Sequence, residues 1–466
     1  MTTPARVAGH SFERGDLLLI FTLALGVFAG ALDAGILAPA LPSLTHDFGA
    51  APRDSAWVLT LYLVANVVAI PTMSKLSDVY GRRAIYVLCV AIFALGSAIA
   101  IVAPTFVVFL AARAIQAIGA GGIFPVATAA IADRVPPERR GSALGLLGAV
   151  WGLAAIVGPN VGGAITHYFS WHWIFAVNIP FALAVIVLAR RAVPDSAPRK
   201  RGPLDVGGII ALSAGLLGIM VGLTRRDANA PSLSSGSVAS ALVLATIAFT
   251  ILVPIERRAA EPVIAPDLFA TRQLALTYAL EIVIGMLEAS LFFIPAALVA
   301  ALGLNAAAAG ALAAIGALTF VLTIPLAGRA LDAFGSRTVL LVGATLTALG
   351  LALFAFAFTS MPAAVAAIAV AGLGFGALLG APTRYIVSNE VPTERRATAV
   401  GVLSIFLIVG MIAGGSLAGG LIGSDIARVA GYRLAYEAFA VLAACAALGT
   451  LALASRTRER LLSAKP

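Results

Sequence analysis

The chain has 466 residues, 61% of them hydrophobic and only 11% charged, too few charges to clothe a water-facing surface of that size. Its natural solvent is therefore the bilayer, and a soluble fold is excluded. The net charge of +9 comes from short basic blocks between apolar runs, which speaks for a polytopic membrane protein and against nucleic-acid binding.

A membrane-spanning helix needs about 20 apolar residues. In chain order, such spans are predicted over 17–41, 56–74, 84–103, 105–131, 141–165, 172–190, 206–224, 238–255, 273–300, 306–327, 338–358, 362–383, 397–422 and 433–454. The first is longer than a signal-peptide core and carries an aspartate, so it is expected to be retained. Most of the 31 lysines and arginines fall in alternate inter-span segments, an asymmetry that places both termini in the cytoplasm and requires an even number of spans.

The sequence repeats itself at a spacing of about 255 residues. DRVPPERRGSALG (133–145) matches NEVPTERRATAVG (389–401), and LSDVYGRRAIYVL (76–88) matches ALDAFGSRTVLLV (330–342). Two halves of six helices follow, with the basic, proline-rich linker 190–205 and two extra spans between them. The expected organisation is an all-α membrane protein with an N-terminal bundle (1–190), linkers and the extra pair (191–270), a C-terminal bundle (271–455) and a tail (456–466).

Ionisable residues inside spans are functional candidates by default, since each is costly to bury in hydrocarbon. Asp33 is alone in the first span. Arg113 is the one cation placed in mid-span, away from the span ends, and Gln116, one turn along, shares its face. GMLEASLFFIPAAL (285–298) aligns with GALDAGILAPALP (30–42), which makes Glu288 the repeat counterpart of Asp33. Glu281 lies seven residues earlier, and at about 100° per residue both glutamates occupy one helical face. Further candidates for cavity contacts are Tyr62, Asn66, Trp151, Asn160, Asn178, Tyr278 and Phe292, the last one turn beyond Glu288.

Four stretches together resemble the major facilitator superfamily, in particular its 14-span drug:proton antiporter group. SKLSDVYGRR (74–83) resembles motif A, RAIQAIGAGG (113–122) motif B, GLAAIVGPNVGG (152–163) the antiporter motif C, and LDAGILAPALP (32–42) the helix 1 motif of the 14-span group. WHWIFAVNIP (171–180) and the extra helix pair are also typical of it. Ser74 replaces the first glycine of motif A, and Gly35 and Ala38 stand where Thr and Asn are common. The resemblance implies that helices 1 and 4 line a central cavity, which makes Asp33 and Arg113 neighbours and lets Asp33, Glu281 and Glu288 converge there.

In the motif A loop, Asp78 stands where a cation or a helix N-terminus can hold it, while Arg82 and Arg83 are expected at anionic headgroups. Gly81 belongs to the same motif, and Asp332, Gly335 and Arg337 form its second copy. In motif C, Gly152, Gly158, Gly162 and Gly163 let another helix approach, and Pro159 kinks the helix.

The function expected from this reading is proton-coupled antiport: alternating-access export of hydrophobic, including cationic, small molecules, as in multidrug efflux and antibiotic resistance. The more apolar helix 1 motif makes a lipid or amphiphile exporter a rival; a symporter and a non-transporting receptor are weaker ones. Cys89 and Cys445 lie far apart, and the four histidines show no ligand spacing, so neither disulfide framework nor metal site is expected. A GxxxxGK[ST] loop and a nucleophile–base set are both lacking, which argues against ATP as energy source and against an enzyme. A monomer in the plasma or inner membrane, with protons, lipids and a lipophilic substrate as its partners and no cofactor, completes the expectation.

Overall fold

The computed structural model describes residues 14–37, 40–49, 55–194, 205–224, 236–259, 262, 266–304, 306–422 and 429–456. The first half comprises α1 (Arg14–Ile36), α2 (Leu41–Asp47), α3 (Ser55–Tyr80), α4 (Arg82–Ile101), α5 (Phe106–Arg134), α6 (Pro137–Tyr168), α7 (His172–Ala176) and α8 (Asn178–Ala192). The extra pair is α9 (Val206–Thr224) and α10 (Gly236–Arg258). The second half begins with α11 (Arg272–Ala289), α12 (Ile294–Leu302), α13 (Ala306–Phe334) and α14 (Ser336–Ala357). It ends with α15 (Met361–Leu379), α16 (Pro382–Glu390), α17 (Arg396–Ile422) and α18 (Val429–Thr450).

Helix is the form that satisfies every backbone donor and acceptor without water, which hydrocarbon demands. Among the described residues, 10 helices are long and apolar enough to cross a membrane. They coincide with ten of the predicted spans; the other four predicted spans lie on α3, α6, α9 and α10. Among the described residues three spans are discontinuous, the first of them at Val177 between α7 and α8. A 3₁₀ turn, Ser290–Phe293, interrupts the span after α11, and a break at Gly380–Ala381 separates α15 from α16. The helix therefore runs on to Glu390, beyond the predicted end at 383, where Pro382 reads as a stop.

Within each half the helices pack on one another, and the halves meet where α6 lies on α13 and α3 on α17. The α9–α10 pair lies against α3 and α17 through Leu212, Leu216 and Leu252 facing Val67, Ile70 and Ile405. Lipid gives helices no hydrophobic reason to associate, so close contact of small residues carries the packing. At the α6–α13 crossing, a Cβ on Gly145 would sit 3.0 Å from the Gly328 α-carbon. The repeat is visible in three dimensions: Gly81 (φ 96°) joins α3 to α4, and Gly335 (φ 83°) joins α13 to α14. Both turns need a left-handed residue, which glycine supplies without a Cβ clash.

The two halves also match where α4 crosses α5 and α14 crosses α15. Gly96 faces the backbone of Gln116, and Gly350 that of Ala371, so Gln116 and Ala371 are structural counterparts. Asp16 lies 3.7 Å from Arg134, and Arg456 donates to the Asp332 carbonyl at 3.2 Å, so both described chain ends lie at the end of the bundle that holds the 74–83 and 330–337 loops.

A methyl at Gly96 or Gly350 would overlap backbone atoms that cannot retreat. Gly96→Val and Gly350→Val are each expected to lower stability by about 1–3 kcal/mol, the usual effect of overpacking. Thermal unfolding in detergent measures this, and unchanged melting temperatures would refute the packing assignment.

Candidate functional site

Asp33 is completely buried, and its charge is met on every side. Arg113 Nη1 donates to Oδ2 at 2.7 Å, while Gln116 Nε2 and Asn178 Nδ2 donate to Oδ1 at 2.8 and 3.0 Å. Gln116 and Asn178 also donate to Ser97 Oγ, at 2.8 and 3.2 Å, and Gln116 Oε1 accepts from Arg113. The Tyr62 ring lies 4.3 Å from the guanidinium carbon, a cation–π contact. All these groups belong to α1, α3, α4, α5 and α8 of the first half. They form a closed clamp of one acid and one base.

The second half lacks that clamp. Counting from the matched Gln116 and Ala371, the place of Arg113 is taken by Ile368, which is buried in the apolar core. The acids on α11 face a different cation. Arg384, on α16, is the charge that acts on both Glu281 and Glu288. Its Nη1 donates to the carbonyls of Leu379 and Gly380 at 3.0 and 3.1 Å, the acceptors left open where α15 stops. Its guanidinium carbon lies 4.7 Å from the Phe124 ring centroid, and Phe124 meets Trp151 edge-on at 5.4 Å. Phe124 and Trp151 come from the first half, so this cluster sits on the seam between halves. Glu281 is buried with Thr383 in hydrogen-bond reach, and Glu288 is half-buried. Glu281 Oε2, Glu288 Oε2 and Arg384 Nε have no hydrogen-bond partner among the described residues. The three predicted acids are thus divided: Asp33 is sealed in its clamp, and the two glutamates share the seam with one arginine.

At the end of the bundle that holds both described termini, the repeated segments lock the halves together reciprocally. Asp78 accepts from the α17 N-terminal amides of Ala397 (3.2 Å) and Thr398 (2.8 Å) and from the Thr398 hydroxyl (2.5 Å). Asp332 does the same at α6, accepting from Gly141 N (2.8 Å), Ser142 N (2.9 Å) and the Ser142 hydroxyl. Each half thus offers a carboxylate to the starting turns of a helix of the other, Asp78 to the first turn of α17 and Asp332 to the second turn of α6, where the positive end of the helix dipole favours an anion. Arg82 joins Asp78 to Asp133 (2.9 Å) and to the Thr393 carbonyl (2.7 Å), and Arg396 reaches Asp133 at 2.8 Å from the opposite half. Arg140 hydrogen-bonds Asn389, and Tyr385 donates to the Pro137 carbonyl at 3.5 Å. Burial and then neighbouring Arg396 pull Arg140 down to about 10.

The other predicted residues fall as follows. Arg82 is not at headgroups: two carboxylates and a carbonyl draw it inside, where it is 5% exposed. Arg83 donates to the Arg190 carbonyl at 3.1 Å at the end of α8, and Arg337 is half-buried. Asn66 donates to the Ala117 carbonyl at 3.3 Å. Tyr278 is buried against Phe269 and Phe406 and donates to the Ala399 carbonyl at 3.3 Å, so it packs α11 on α17. Phe292 loses its helical relation to Glu288 because α11 ends at Ala289, and the following 3₁₀ turn leaves it 70% exposed. Gly158 packs on Gly35 and Gly162 on the Ile36 carbonyl, bringing α6 onto α1, while Gly152 meets Phe320 and Val321 of α13. Gly163 has nothing within 4 Å and serves no close approach. The side chains of Pro159, Asn160 and Ala38 lie outside the described residues.

Arg384, Phe124, Ser97, Asp133, Arg140 and Arg396 were not anticipated as site residues. The last three were in view, since they belong to the duplicated segments 133–145 and 389–401 that revealed the repeat. Arg384 had a weaker signal: a lone arginine between Pro382 and the apolar pair Ile386–Val387.

Asp33→Asn strands a buried guanidinium and is expected to destabilise the protein by about 3–5 kcal/mol, with Arg113→Gln in the same chain recovering most of the loss. Thermal unfolding of the single and double variants decides it. For the latches, the reporter is Ser388→Cys in a Cys445→Ala background, since Ser388 is buried beside Arg396 and Cys89 is buried. Asp78→Asn and Asp332→Asn should each speed its labelling by an impermeant maleimide about tenfold, equivalent to about 1.4 kcal/mol. Unaltered rates would sink the latch assignment.

The sequence profile of the Major Facilitator Superfamily matches residues 23–287 and again 274–466, once for each half. The chain is 34% identical over 417 residues to the uncharacterized MFS-type transporter YfiU of Bacillus subtilis (strain 168), covering 88% of this chain and 80% of that one. It is 32% identical over 310 residues to Multidrug resistance protein 3 of the same organism, covering 66% and 59% of the two chains. Among solved structures, the human organic anion transporter MFSD10 (TETRAN) superposes with a TM-score of 0.70 at 17% identity, covering 94% of this chain and 100% of that one. The proton:xylose symporter XylE gives 0.64 at 15% identity, covering 93% and 94%. These two likenesses establish the fold alone. With a profile match over both halves and a helical fold of this kind, the chain belongs to the Major Facilitator Superfamily and is a multi-pass membrane transporter, not an enzyme.

Proposed function

We propose that the protein is a proton-coupled antiporter that exports hydrophobic small molecules, lipophilic cations among them, across the plasma membrane. The observation that carries this reading is the excess of acid on the seam: Glu281 and Glu288 against one Arg384, with unpaired carboxylate oxygens beside the Phe124–Trp151 aromatic pair. An unpaired carboxylate in a water-poor seam is relieved by either a proton or a cationic substrate, and one of these excludes the other. Aromatic faces and apolar walls suit a lipophilic cation. Among the relatives, two from Bacillus subtilis are named multidrug proteins, which agrees with this reading.

The proposal keeps the 14-span, 6 + 2 + 6 arrangement with both termini cytoplasmic. The latched end is then the cytoplasmic one, which agrees with the basic residues concentrated there, and the conformation described is closed to the cytoplasm. Asp78 and Asp332 act as the latches that must part for the seam to open inward. Asp33 and Arg113, matched one to one, hold α1 and α5 together, and the exchange of protons falls to Glu281 and Glu288. A membrane potential of 100 mV adds about 2.3 kcal/mol per charge moved.

In proteoliposomes with an imposed pH gradient, the wild-type protein should drive ethidium uphill. Glu281→Gln and Glu288→Gln should each abolish uphill movement. Uphill transport that survives both substitutions, or transport indifferent to the gradient, would overturn the reading.

A further inference from the structure

We propose that Arg384 sets the charge number of the transported molecule: as a resident cation it occupies one of the two negative charges on the seam and leaves room for a single further positive charge. The inference rests on the cation-export reading above and extends it from a class of substrate to a rule for its charge.

Arg384 is anchored independently of the acids. Leu379 and Gly380 supply two carbonyls at the end of α15, Phe124 supplies a ring face, and among the described residues no carboxylate oxygen hydrogen-bonds to it. The last carbonyls of a helix carry partial negative charge, so they retain a guanidinium whether or not a glutamate is ionised. A guanidinium also keeps its proton throughout. Its contribution of one positive charge is thus permanent, whereas each glutamate can be charged or neutral.

The count follows. With Glu281 and Glu288 both ionised, the seam carries two negative charges and one positive. A water-poor site is tolerable when its enclosed charge sums to near zero, because each unbalanced charge there is costly. One proton or one monovalent cation completes the balance. A dication overshoots it by the same amount that an empty site undershoots. The Asp33 clamp, already balanced and fully buried, has no place for a further charge.

Ethidium and propidium test this directly, since they share a phenanthridinium ring and differ in carrying one and two positive charges. In proteoliposomes under a pH gradient, wild-type protein should favour ethidium over propidium by about tenfold or more, about 1.4 kcal/mol. Arg384→Gln should invert the preference. Arg384→Lys should preserve it. Glu288→Gln alone should lose both dyes, and adding Arg384→Gln to it should restore ethidium, because one acid then remains with no resident cation. Recovery of ethidium in that double variant is a result that a merely structural arginine would not produce, and the variants are compared only as monodisperse protein by size exclusion, so that misfolding is not read as loss of transport. The proposal is overturned if Arg384→Gln moves ethidium with the wild-type preference, or if the double variant stays inactive for both dyes. Wild-type protein that moves neither dye would overturn the export reading, and this inference with it.

Discussion

Charge matching inside a medium that cannot solvate charge governs this molecule. In the first half the charges are matched one to one: Asp33 meets Arg113, Gln116 and Asn178, and both of its carboxylate oxygens are hydrogen-bonded. The second half inherits the acid but not its partners. Ile368 and Ala371 occupy the places of Arg113 and Gln116, and both pack in the apolar core. Glu288 is therefore released from the clamp that holds its counterpart, and with Glu281 it must look elsewhere for a cation. The clamp of one half thus has no equivalent in the other, which leaves the carboxylates there unmet.

The cation it finds is delivered by a defect. Gly380 and Pro382 stop α15, and the carbonyls exposed by that stop are what Arg384 turns back to cover. The short helix that follows, α16, has Arg384 near one end and Asn389 near the other, with Tyr385 between. The first touches the acids' field; the other two reach α6 at Pro137 and Arg140. One rigid element thus spans from the seam to the latched end.

Much of this was legible in the amino-acid order, and the limits have physical causes. Asp33 and Arg113 each stood out as a charge in mid-span, and the family resemblance, which puts helices 1 and 4 on one cavity, paired them. Asp78 could be assigned to a cation or helix N-terminus because a one-residue turn fixes where it sits, and in the structure it has both, in Arg82 and α17. The division of the acids into two sets was not legible. Alignment of the halves shows that Glu288 corresponds to Asp33, but correspondence of position carries no information on whether the partners were kept. Arg384 escaped because proline after glycine reads as a helix end, and a helix that resumes within the membrane leaves no compositional mark. Arg82 was assigned to the headgroups from its basic neighbour Arg83, yet Asp133, remote in sequence, captures it.

The latches show how such a transporter can be closed and still turn over. Each carboxylate is held by backbone amides and a hydroxyl at a helix start, bonds to a charged group worth about 1.5–3 kcal/mol apiece. When they part, both sides can be met by water at the membrane surface, so the net difference between open and closed is smaller than the bonds themselves suggest. A single charge crossing 100 mV yields about 2.3 kcal/mol, comparable with one such bond. The reciprocal placement of the two latches ties each half to a helix of the other, so that neither can part on its own.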